Sequence, residues 1–363
     1  MNYTTIGAIN DYASESINPA LFPDTTFEVY SVPVFETGHP EFLRGDEIGS
    51  TKQVVRKDDV LICKINPRIN RVWVVADESD KQNIASSEWI VVRTKEYNPE
   101  FLGWYFRSSK FKALMVSEVA GIGGSLTRAQ PKCVAGYPVP LLHRSQQDEI
   151  VQHLNSIKHI IEARQRQLLA LDTLIKARFV EMFGDCKTNP MGWKTVALGD
   201  ISEVGSSKRV FVEELKEAGI PFYRGTEVGV LAEGKPIQPE LFITEDHYRE
   251  LIAATGKPEV GDLLMPSICP DGRIWVVNTE EPFYFKDGRV LWVHAIKRSF
   301  NPIFLLYTLK DRIITDYGSI ASGTTFAELK IFALKGCQVF NVPLEEQNRF
   351  AELIAQVDKS KVV

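Results

Sequence analysis

The sequence contains few cysteines and no long apolar run, and both absences exclude whole classes of protein. Its five cysteines form no CxxC pair, which argues against structural zinc and favours a reducing cytoplasm as the location. No apolar run approaches the roughly 18 residues that a membrane-spanning helix needs. The first residues, Met1-Asn2-Tyr3-Thr4-Thr5, do not resemble a signal peptide. We therefore expect a cytoplasmic protein with no membrane partner.

An excess of positive charge is also missing. The formal net charge is −5, whereas proteins that bind nucleic acid through a global positive field normally have a basic composition. Any surface that binds nucleic acid must therefore be local. The 363 residues, 44% hydrophobic and 25% charged, are typical of a folded protein with two domains and connectors.

Residue patterns that indicate catalysis are scarce as well. The six histidines are scattered without metal-ligand spacing, and no serine or cysteine occupies a recognisable nucleophile elbow. Residues 229–235 have the spacing of a phosphate-binding loop, but Pro236 stands where a hydroxyl is needed for magnesium. The sequence thus predicts no catalytic residue, no metal ligand and no cofactor in this chain, and it disfavours a two-lobed enzyme.

What the sequence does contain is the same domain twice, each copy followed by the same kind of helix. A repeat this long can bury a core of its own in each copy, unlike a solenoid unit. Two similar lobes imply two similar partner sites at a fixed separation. The matching segments are Ile6-Gly7-Ala8-Ile9 with Leu198-Gly199-Asp200-Ile201, Arg71-Val72-Trp73-Val74-Val75 with Arg273-Ile274-Trp275-Val276-Val277, and Asn98-Pro99-Glu100-Phe101-Leu102 with Asn301-Pro302-Ile303-Phe304-Leu305.

The predicted fold class is α+β: two mixed α/β domains joined by a long helix. Short β-branched and aromatic runs such as Val60-Leu61-Ile62 indicate strands, and a proline in the first turn indicates a helix after Asn98. The predicted domains are lobe one (1–143), a central helix (144–185), lobe two (186–341) and a short distal helix (342–363). Residues 245–252 of lobe two predict an extra surface helix that lobe one lacks.

Residues 145–183 show apolar positions at alternating steps of four and three, with Ser145 as the expected N-cap and Gly184 as the stop. Such a helix would be about 58 Å long, suited to a spacer. The distal helix should pack antiparallel on its C-terminal part, which leaves the first half uncovered unless a lobe packs on it. The predicted partner-binding or self-association stripe comprises Ile150, Leu154, Ile157, Ile161 and Arg164.

Loops rich in asparagine, arginine, serine and threonine recur in both lobes. Such side chains read base edges, arginine pairing with guanine and asparagine with adenine, while hydroxyls and lysines contact bases or phosphates. Trp73 and Trp275, inside predicted strands, should be core residues. The predicted DNA-binding residues are Lys64, Asn66, Arg68, Asn70, Arg71, Ser125, Thr127 and Arg128 in lobe one, and Lys208, Arg209, Tyr223, Arg224, Thr226, Ser267, Arg273, Thr324 and Thr325 in lobe two.

These residues resemble the specificity subunits of type I restriction-modification enzymes over nearly the whole chain. The segment 171–185 (LDTLIKARFVEMFGD), followed by Asn189-Pro190-Met191-Gly192-Trp193, is the specific part of the resemblance. Ser322-Gly323-Thr324-Thr325 and Val342-Pro343-Leu344-Glu345-Glu346-Gln347 match the usual closing segment. Lobe one departs from the pattern at Gly123-Gly124-Ser125-Leu126 and Leu142-His143-Arg144, and the final helix is expected to be truncated.

The resemblance implies a non-catalytic subunit that reads a bipartite site on double-stranded DNA, one half per lobe, with the helices setting the gap. It also implies two modification subunits that methylate adenine with S-adenosylmethionine, and restriction subunits that use ATP and Mg²⁺. The alternative is an interaction scaffold that uses the helix stripe to bind protein and has no direct DNA role. The acidic charge balance favours that alternative.

Overall fold

The computed structural model describes residues 2–117, 119–120, 127–323 and 327–362. The chain divides into two compact units, Met1–Arg164 and Gln165–Val363, and the boundary falls inside one long helix. Each unit contains one of the predicted lobes. The finer division into 1–143, 144–185, 186–341 and 342–363 stays a prediction.

The described part of the first unit combines a mixed five-stranded sheet, in the order β2-β5-β8-β3-β4, with a three-stranded antiparallel sheet, β7-β6-β9, and two short pairs, β1-β12 and β10-β11. Its elements are β1 (Tyr3–Thr5), α1 (Ile6–Ile9), β2 (Ser16–Ile17), β3 (Thr26–Tyr30), β4 (Glu41–Arg44), β5 (Lys52–Val54), β6 (Val60–Cys63), β7 (Val72–Val74), β8 (Gln82–Ala85), β9 (Trp89–Val92), α2 (Pro99–Arg107), α3 (Ser109–Ser117), β10 (Val119–Ala120), β11 (Arg128–Ala129), α4 (Pro131–Ala135) and β12 (Pro138–Pro140), with 3-10 turns at Pro19–Leu21, Phe35–Thr37 and Gly45–Glu47. The long helix α5 (Arg144–Phe183) begins in this unit and ends in the second.

The second unit, over its described residues, has the four-stranded sheet β14-β20-β17-β18, the three-stranded sheet β16-β15-β19 and the pairs β13-β23 and β21-β22. Its elements are β13 (Thr195–Ala197), α6 (Leu198–Ile201), β14 (Glu203–Gly205), β15 (Ile220–Tyr223), α7 (Gly225–Ala232), β16 (Phe242–Ile243), α8 (Glu245–Thr255), β17 (Leu263–Pro266), β18 (Trp275–Val276), β19 (Tyr284–Phe285), β20 (Val290–His294), α9 (Pro302–Ile320), β21 (Ala321–Ser322), β22 (Glu328–Leu329), α10 (Ile331–Lys335), β23 (Gln338–Phe340) and α11 (Leu344–Val362), with a 3-10 turn at Val212–Glu214.

The central strand of each lobe pairs with its neighbours in the same register. In lobe one, Leu61 of β6 lies opposite Trp73 of β7 and Val91 of β9. In lobe two, Leu264 of β17 lies opposite Trp275 of β18 and Trp292 of β20. The sequence repeat is therefore a repeat of strand register, and the predicted mixed α/β fold with a long central helix is confirmed.

Both faces of each central strand are buried, which explains why these strands are apolar without alternation. In β6, Val60 and Ile62 belong to the core beneath α2 and α3, whereas Leu61 and Cys63 belong to an aromatic core on the opposite face. Trp73 and Trp275 lie in the aromatic cores of their lobes, so their prediction as core residues is confirmed. The loops at the ends of these strands are thus held by a rigid three-layered lobe.

Helices α2 and α9, which follow the central sheets, begin with the same asparagine cap. An equivalent glutamine joins each cap to the helix that ends the repeat, α5 or α11. Asn98 Oδ1 accepts from the backbone N–H of Glu100 at 2.9 Å, and Gln147 Oε1 accepts from the backbone N–H of Asn98 at 2.8 Å. Asn301 and Gln347 repeat the second contact at 2.8 Å. The proline that follows each cap occupies the first helical turn, as predicted.

The start of α5 differs from the prediction. The helix already includes Arg144, and the side chain of Gln146 accepts from the backbone N–H of His143 at 3.1 Å. Ser145 therefore lies inside the first turn and is not the N-cap, because the glutamine reaching back to residue 143 supplies the cap contact. The predicted end is confirmed, since α5 stops at Phe183 and Gly184 has a left-handed φ of 81°.

The antiparallel packing of α11 on the C-terminal part of α5 is confirmed. Phe350 lies 5.5 Å from Phe179 between ring centroids, and Lys361, near the end of α11, pairs with Asp172 at 2.9 Å. The apolar stripe at the start of α5 is only partly uncovered. Ile150 packs in part against the lobe-one core, and Leu154 is half-buried. Their predicted role in partner binding stays a prediction.

Ile157 and Ile161 of the same stripe are exposed by 53% and 52%, and Ile160, which the prediction omitted, by 68%.

The extra helix of lobe two is present as α8, with Tyr248 and Leu251 packed in a hydrophobic core separate from that of the central sheet. Among the described residues, we find no helix long and apolar enough to cross a membrane.

Candidate nucleic-acid interface

Three chain segments meet at the end of β6, and they bring several predicted residues of lobe one together. The backbone N–H of Lys64 donates to the carbonyl of Glu88 at 3.0 Å, and the Lys64 carbonyl accepts from Ala129 at 2.8 Å. The backbone N–H of Asn66 donates to the carbonyl of Thr127 at 2.9 Å. We call this meeting of the segment after β6, the turn before β9 and strand β11 the lobe-one junction.

The turn that leaves this junction presents an arginine to solvent. Asn66 and Asn70 have left-handed φ values of 46° and 56°, which asparagine adopts more readily than most residues. Arg68, between them, is exposed. Asn70 is half-buried, and its side-chain amide donates to the carbonyl of Phe106 at 3.1 Å. Asn70 therefore holds the turn in place, and Arg68 occupies its tip.

The other two arginines predicted in lobe one lie beside carboxylates. Arg128 donates through Nε and Nη2 to Glu88 at 3.3 and 3.1 Å, and this bonding raises the pKa of Arg128. Arg71 Nε lies 3.7 Å from Glu36 Oε1. The Arg128 guanidinium is thus oriented by hydrogen bonds to an acid, whereas Arg71 lies near its acid but beyond hydrogen-bond distance.

Lobe two builds the same junction from the same backbone contacts. The backbone N–H of Ser267 donates to the carbonyl of Arg289 at 2.8 Å, and the Ser267 carbonyl accepts from Leu329 at 2.7 Å. We call the meeting of the segment after β17, the turn before β20 and strand β22 the lobe-two junction. Its geometry repeats that of Lys64, Glu88 and Ala129.

Two predicted hydroxyl residues prove to be interior. Ser267 is 2% exposed and Thr127 is 7% exposed, because each lies where strand ends pack together at a junction. Their burial argues against direct DNA contact, and we leave both out of the proposed interface. Ser125, Thr324 and Thr325 lie outside the described residues.

The basic pair Lys208 and Arg209 lies along the turn that carries Arg289. The backbone N–H of Lys208 donates to the hydroxyl of Tyr284 at 2.9 Å, and Arg209 Nε donates to Asp287 Oδ2 at 2.9 Å. Both residues are exposed. The structure therefore brings these predicted phosphate-contacting residues to the lobe-two junction.

A second group of predicted residues surrounds the start of α7. Arg224 donates to the carboxylate of Glu227, and Thr226 Oγ1 donates to the same carboxylate at 2.9 Å. Burial raises the pKa of Glu227, but these hydrogen bonds outweigh it and lower that pKa to about 2. Tyr223 stacks on Phe283 at 4.9 Å, and burial raises the pKa of Tyr223. Tyr223 is thus largely a packing residue.

Arg273 packs across α7. Its Nε lies 2.8 Å from Asp271 Oδ2, and its Nη1 would lie only 2.9 Å from a Cβ at position 229. Gly229, which belonged to the false phosphate-loop spacing, therefore makes room for this guanidinium. The side chain of Arg273 is 38% exposed, so it can still reach a partner.

Sequence reasoning missed the acidic members of the junctions and one arginine: Glu88, Asp287, Glu328 and Arg289. They stand in short turns next to strands, where charged residues are common and carry no motif. The repeat itself was the available signal, because it aligns Glu88 with Arg289 and Arg128 with Glu328. Among the residues that the structure describes, no three histidine, cysteine, aspartate or glutamate side chains cluster at metal-binding distances.

No family model matches the chain. The chain is 25% identical, over 271 residues, to a Haemophilus influenzae protein proposed to be a type I restriction enzyme specificity subunit. The match spans 73% of this chain and 66% of that protein, which is just under two thirds of the relative's length.

Two solved structures share the fold. One comes from work on complex assembly and conformational transition of the type I restriction-modification system, with a TM-score of 0.59, 20% identity, and coverage of 99% of this chain and 91% of that chain. The other is the type I restriction-modification S subunit from M. genitalium, with a TM-score of 0.57, 15% identity, and coverage of 99% and 90%. The resemblance predicted from the sequence is therefore confirmed, and the chain has the fold of a type I restriction-modification specificity subunit.

Proposed function

We propose that this chain is the non-catalytic, DNA-reading subunit of a type I restriction-modification complex, with one half of a bipartite site read by each lobe. The observation that carries the proposal is the junction built twice. Lys64 and Ser267 make the same pair of backbone contacts to their flanking segments. A duplicated, rigid presentation of arginines and polar loops suits a protein that reads two half-sites on one duplex.

The pairing of the arginines reconciles this function with the acidic composition. Each of these arginines has a carboxylate within the distance of an ion pair, so it adds little to the net field. Hydrogen bonds to the carboxylate also orient three of them, Arg128, Arg209 and Arg224. An oriented guanidinium suits recognition of base edges better than bulk attraction to phosphates. The arginines concerned are Arg71, Arg128, Arg209, Arg224 and Arg273.

We propose that α5, supported by α11, sets the unread gap between the half-sites. The contacts of Phe179 and Phe183 with Phe350 support a stiff helix pair in the second unit. The exposed residues Ile157, Ile160 and Ile161 then remain for a partner subunit or a second copy of the chain.

The chemistry of the complex belongs, on this proposal, to other chains. Two modification subunits would supply S-adenosylmethionine-dependent adenine methylation, and restriction subunits would supply ATP- and Mg²⁺-dependent cleavage. The five free cysteines support a reducing, cytoplasmic location for the assembly.

Mapping of methylated adenines in the genome that encodes this chain, with and without its gene, tests the proposal. We expect a split motif that disappears with the gene. Arg273→Ala should weaken recognition of one half only, by roughly 1 to 3 kcal/mol. A loss at both halves would contradict independent lobes.

The interaction scaffold remains a second candidate because of the exposed isoleucines on α5. A binding assay across salt concentrations, with duplex DNA carrying the mapped motif, separates the two functions. Phosphate contacts make affinity fall steeply as salt rises, whereas a scaffold would not bind the duplex at any salt concentration.

A further inference from the structure

The two junctions contain the same ion pair with its charges exchanged. In lobe one, Glu88 in the turn before β9 binds Arg128 on β11 at 3.1 Å. In lobe two, the turn before β20 supplies the arginine, Arg289, and β22 supplies the carboxylate, Glu328. Both lobes therefore contain the ion pair, but the arginine and the carboxylate occupy exchanged positions.

Backbone contacts establish that these positions are equivalent. The carbonyls of Glu88 and Arg289 accept from Lys64 and Ser267, which occupy the same place after the central strand. Arg128 begins β11, which pairs with β10. Glu328 begins β22, which pairs with β21 in the same antiparallel way. The exchange therefore occurs between matching sites in two copies of one scaffold.

Stability alone is a weak reason for keeping such a pair. The arginine side chains are 47% and 57% exposed, and exposed ion pairs contribute little to folding because water and salt screen them. The carboxylates are less exposed, at 27% and 26%. In each lobe the acid thus lies deeper than the arginine and orients a guanidinium that still faces solvent.

Such an arrangement suits recognition of a base edge. A guanidinium whose orientation is already fixed loses less conformational entropy when it binds, and its planar array of donors matches the O6 and N7 acceptors of guanine. Further basic groups lie beside it in lobe two, where Lys330 contacts Glu328 at 3.2 Å and Arg209 contacts Asp287.

We propose that Arg128 and Arg289 each read a guanine in their own half-site, with Glu88 and Glu328 as positioning residues. The exchange places the guanidinium on opposite sides of the junction in the two lobes, so each lobe reads its guanine at a different position relative to the same scaffold. This inference rests on the proposed function as a DNA-reading subunit.

The test compares methylation motifs in cells that express the complete complex with variant forms of this chain. The recognition variants are Arg128→Gln, Arg289→Gln and Arg289→Lys. The control is Arg249→Gln, which breaks a more exposed arginine–carboxylate pair between Arg249 and Glu245 on α8, away from the junctions. Thermal unfolding of each purified chain reports separately on the fold.

We expect Arg289→Gln to reduce discrimination on the order of 10- to 100-fold at one or two positions of one half-site. Arg128→Gln should do the same in the other half, and Arg249→Gln should change neither. Arg289→Lys should also lose discrimination, because lysine keeps the charge but not the paired donors.

A charge-exchanged variant, Glu88→Arg with Arg128→Glu, separates recognition from stability. It restores an ion pair of reversed polarity in lobe one, so we expect wild-type thermal stability together with a changed first half-site. Glu328→Gln should lower discrimination in the second half without changing which base is preferred.

Two results would overturn the inference alone: unchanged motifs in both glutamine variants, or full recovery of the original motif by the exchanged pair. A wild-type complex that methylates no split motif would overturn the proposed function, and the inference with it.

Discussion

Asp59 in lobe one and Asp262 in lobe two occupy the same place before the central strand, yet their charges are balanced in different ways. Each accepts from the backbone N–H of the residue three positions earlier, Arg56 at 2.8 Å and Glu259 at 2.9 Å. In lobe one the remaining partner is Arg93, whose Nε and Nη2 each bind Asp59 at 2.7 Å.

In lobe two, Asp262 has no arginine at the corresponding place and accepts instead from Trp292 Nε1 at 2.9 Å. His294 stacks on that tryptophan with ring centroids 3.8 Å apart. The lobes therefore share these backbone hydrogen bonds, while the side chains that face the buried carboxylate differ. The same rule describes the exchanged ion pairs at the junctions.

The largest difference between the lobes should appear when each aspartate is changed to asparagine. Asp59→Asn leaves the Arg93 guanidinium, 23% exposed, without its counter-charge. The expected cost is about 2 to 4 kcal/mol, below that of a fully buried pair because Arg93 reaches solvent. Asp262→Asn keeps an acceptor for both N–H groups and should cost about 1 kcal/mol or less.

Hydrogen exchange of the peptides that contain β6 and β17 measures each lobe separately. A second change, Arg93→Gln added to Asp59→Asn, should recover part of the loss, since it removes the uncompensated charge. Equal losses of unfolding free energy for Asp59→Asn and Asp262→Asn would show that the different side-chain partners of the two aspartates do not affect stability.

Features set by local sequence were predictable. The repeat gave the matching strands, the asparagine caps follow from short-range chemistry, and Gly184 ends α5 through its own backbone freedom. The register of the central strands follows from the apolar pattern around Trp73 and Trp275.

Features set by distant neighbours could not be predicted from local composition. Glu88 and Arg128 come from separate parts of the chain and meet only at the lobe-one junction, so polar composition drew attention to the arginine and not to its acid. Ser267 and Thr127 resemble loop hydroxyls in sequence, but tertiary packing buries them. The covering of Ile150 by the lobe-one core likewise depends on tertiary packing rather than on the heptad pattern.

At positions where the two lobes make the same contacts, equivalent substitutions should lower the free energy of unfolding by similar amounts. Gln147 accepts from Asn98 and donates to the carbonyl of Leu142, and Gln347 makes the equivalent contacts to Asn301 and Val342. Replacing either glutamine by leucine leaves a backbone donor and a backbone acceptor, each buried or partly buried, without a partner. We expect a cost of about 1 to 3 kcal/mol in the free energy of unfolding.

Urea unfolding of both variants measures these costs. The matched controls are Gln152→Leu on α5 and Gln356→Leu on α11, two exposed glutamines, which should change stability little. If the loss of unfolding free energy in one lobe is several times that in the other, the glutamine contacts of the two lobes are not equivalent.

The smallest expected effect is a pH dependence confined to lobe two. Burial raises the pKa of Asp262 above its ordinary value of 3.8. The hydrogen bonds from Glu259 and Trp292 and the charge of His294 oppose that shift without cancelling it. The folded state therefore binds this proton more tightly than the unfolded state does. The contribution of protonated Asp262 to the free energy of unfolding is complete below pH 3.8. It is lost as pH rises through the raised pKa of this carboxyl.

Asp262→Asn removes this titration, so the stability of the wild-type protein should fall relative to the variant as pH rises through that interval. Trp292→Phe sharpens the test, because losing the indole N–H leaves the carboxylate less stabilised and should shift the fall to higher pH. Unfolding by urea at closely spaced pH values, with hydrogen exchange to assign the change to β17, provides the measurement. A constant difference between wild type and Asp262→Asn at every pH would mean that the indole and backbone donors compensate fully for burial, and that Asp262 needs no arginine to match Asp59.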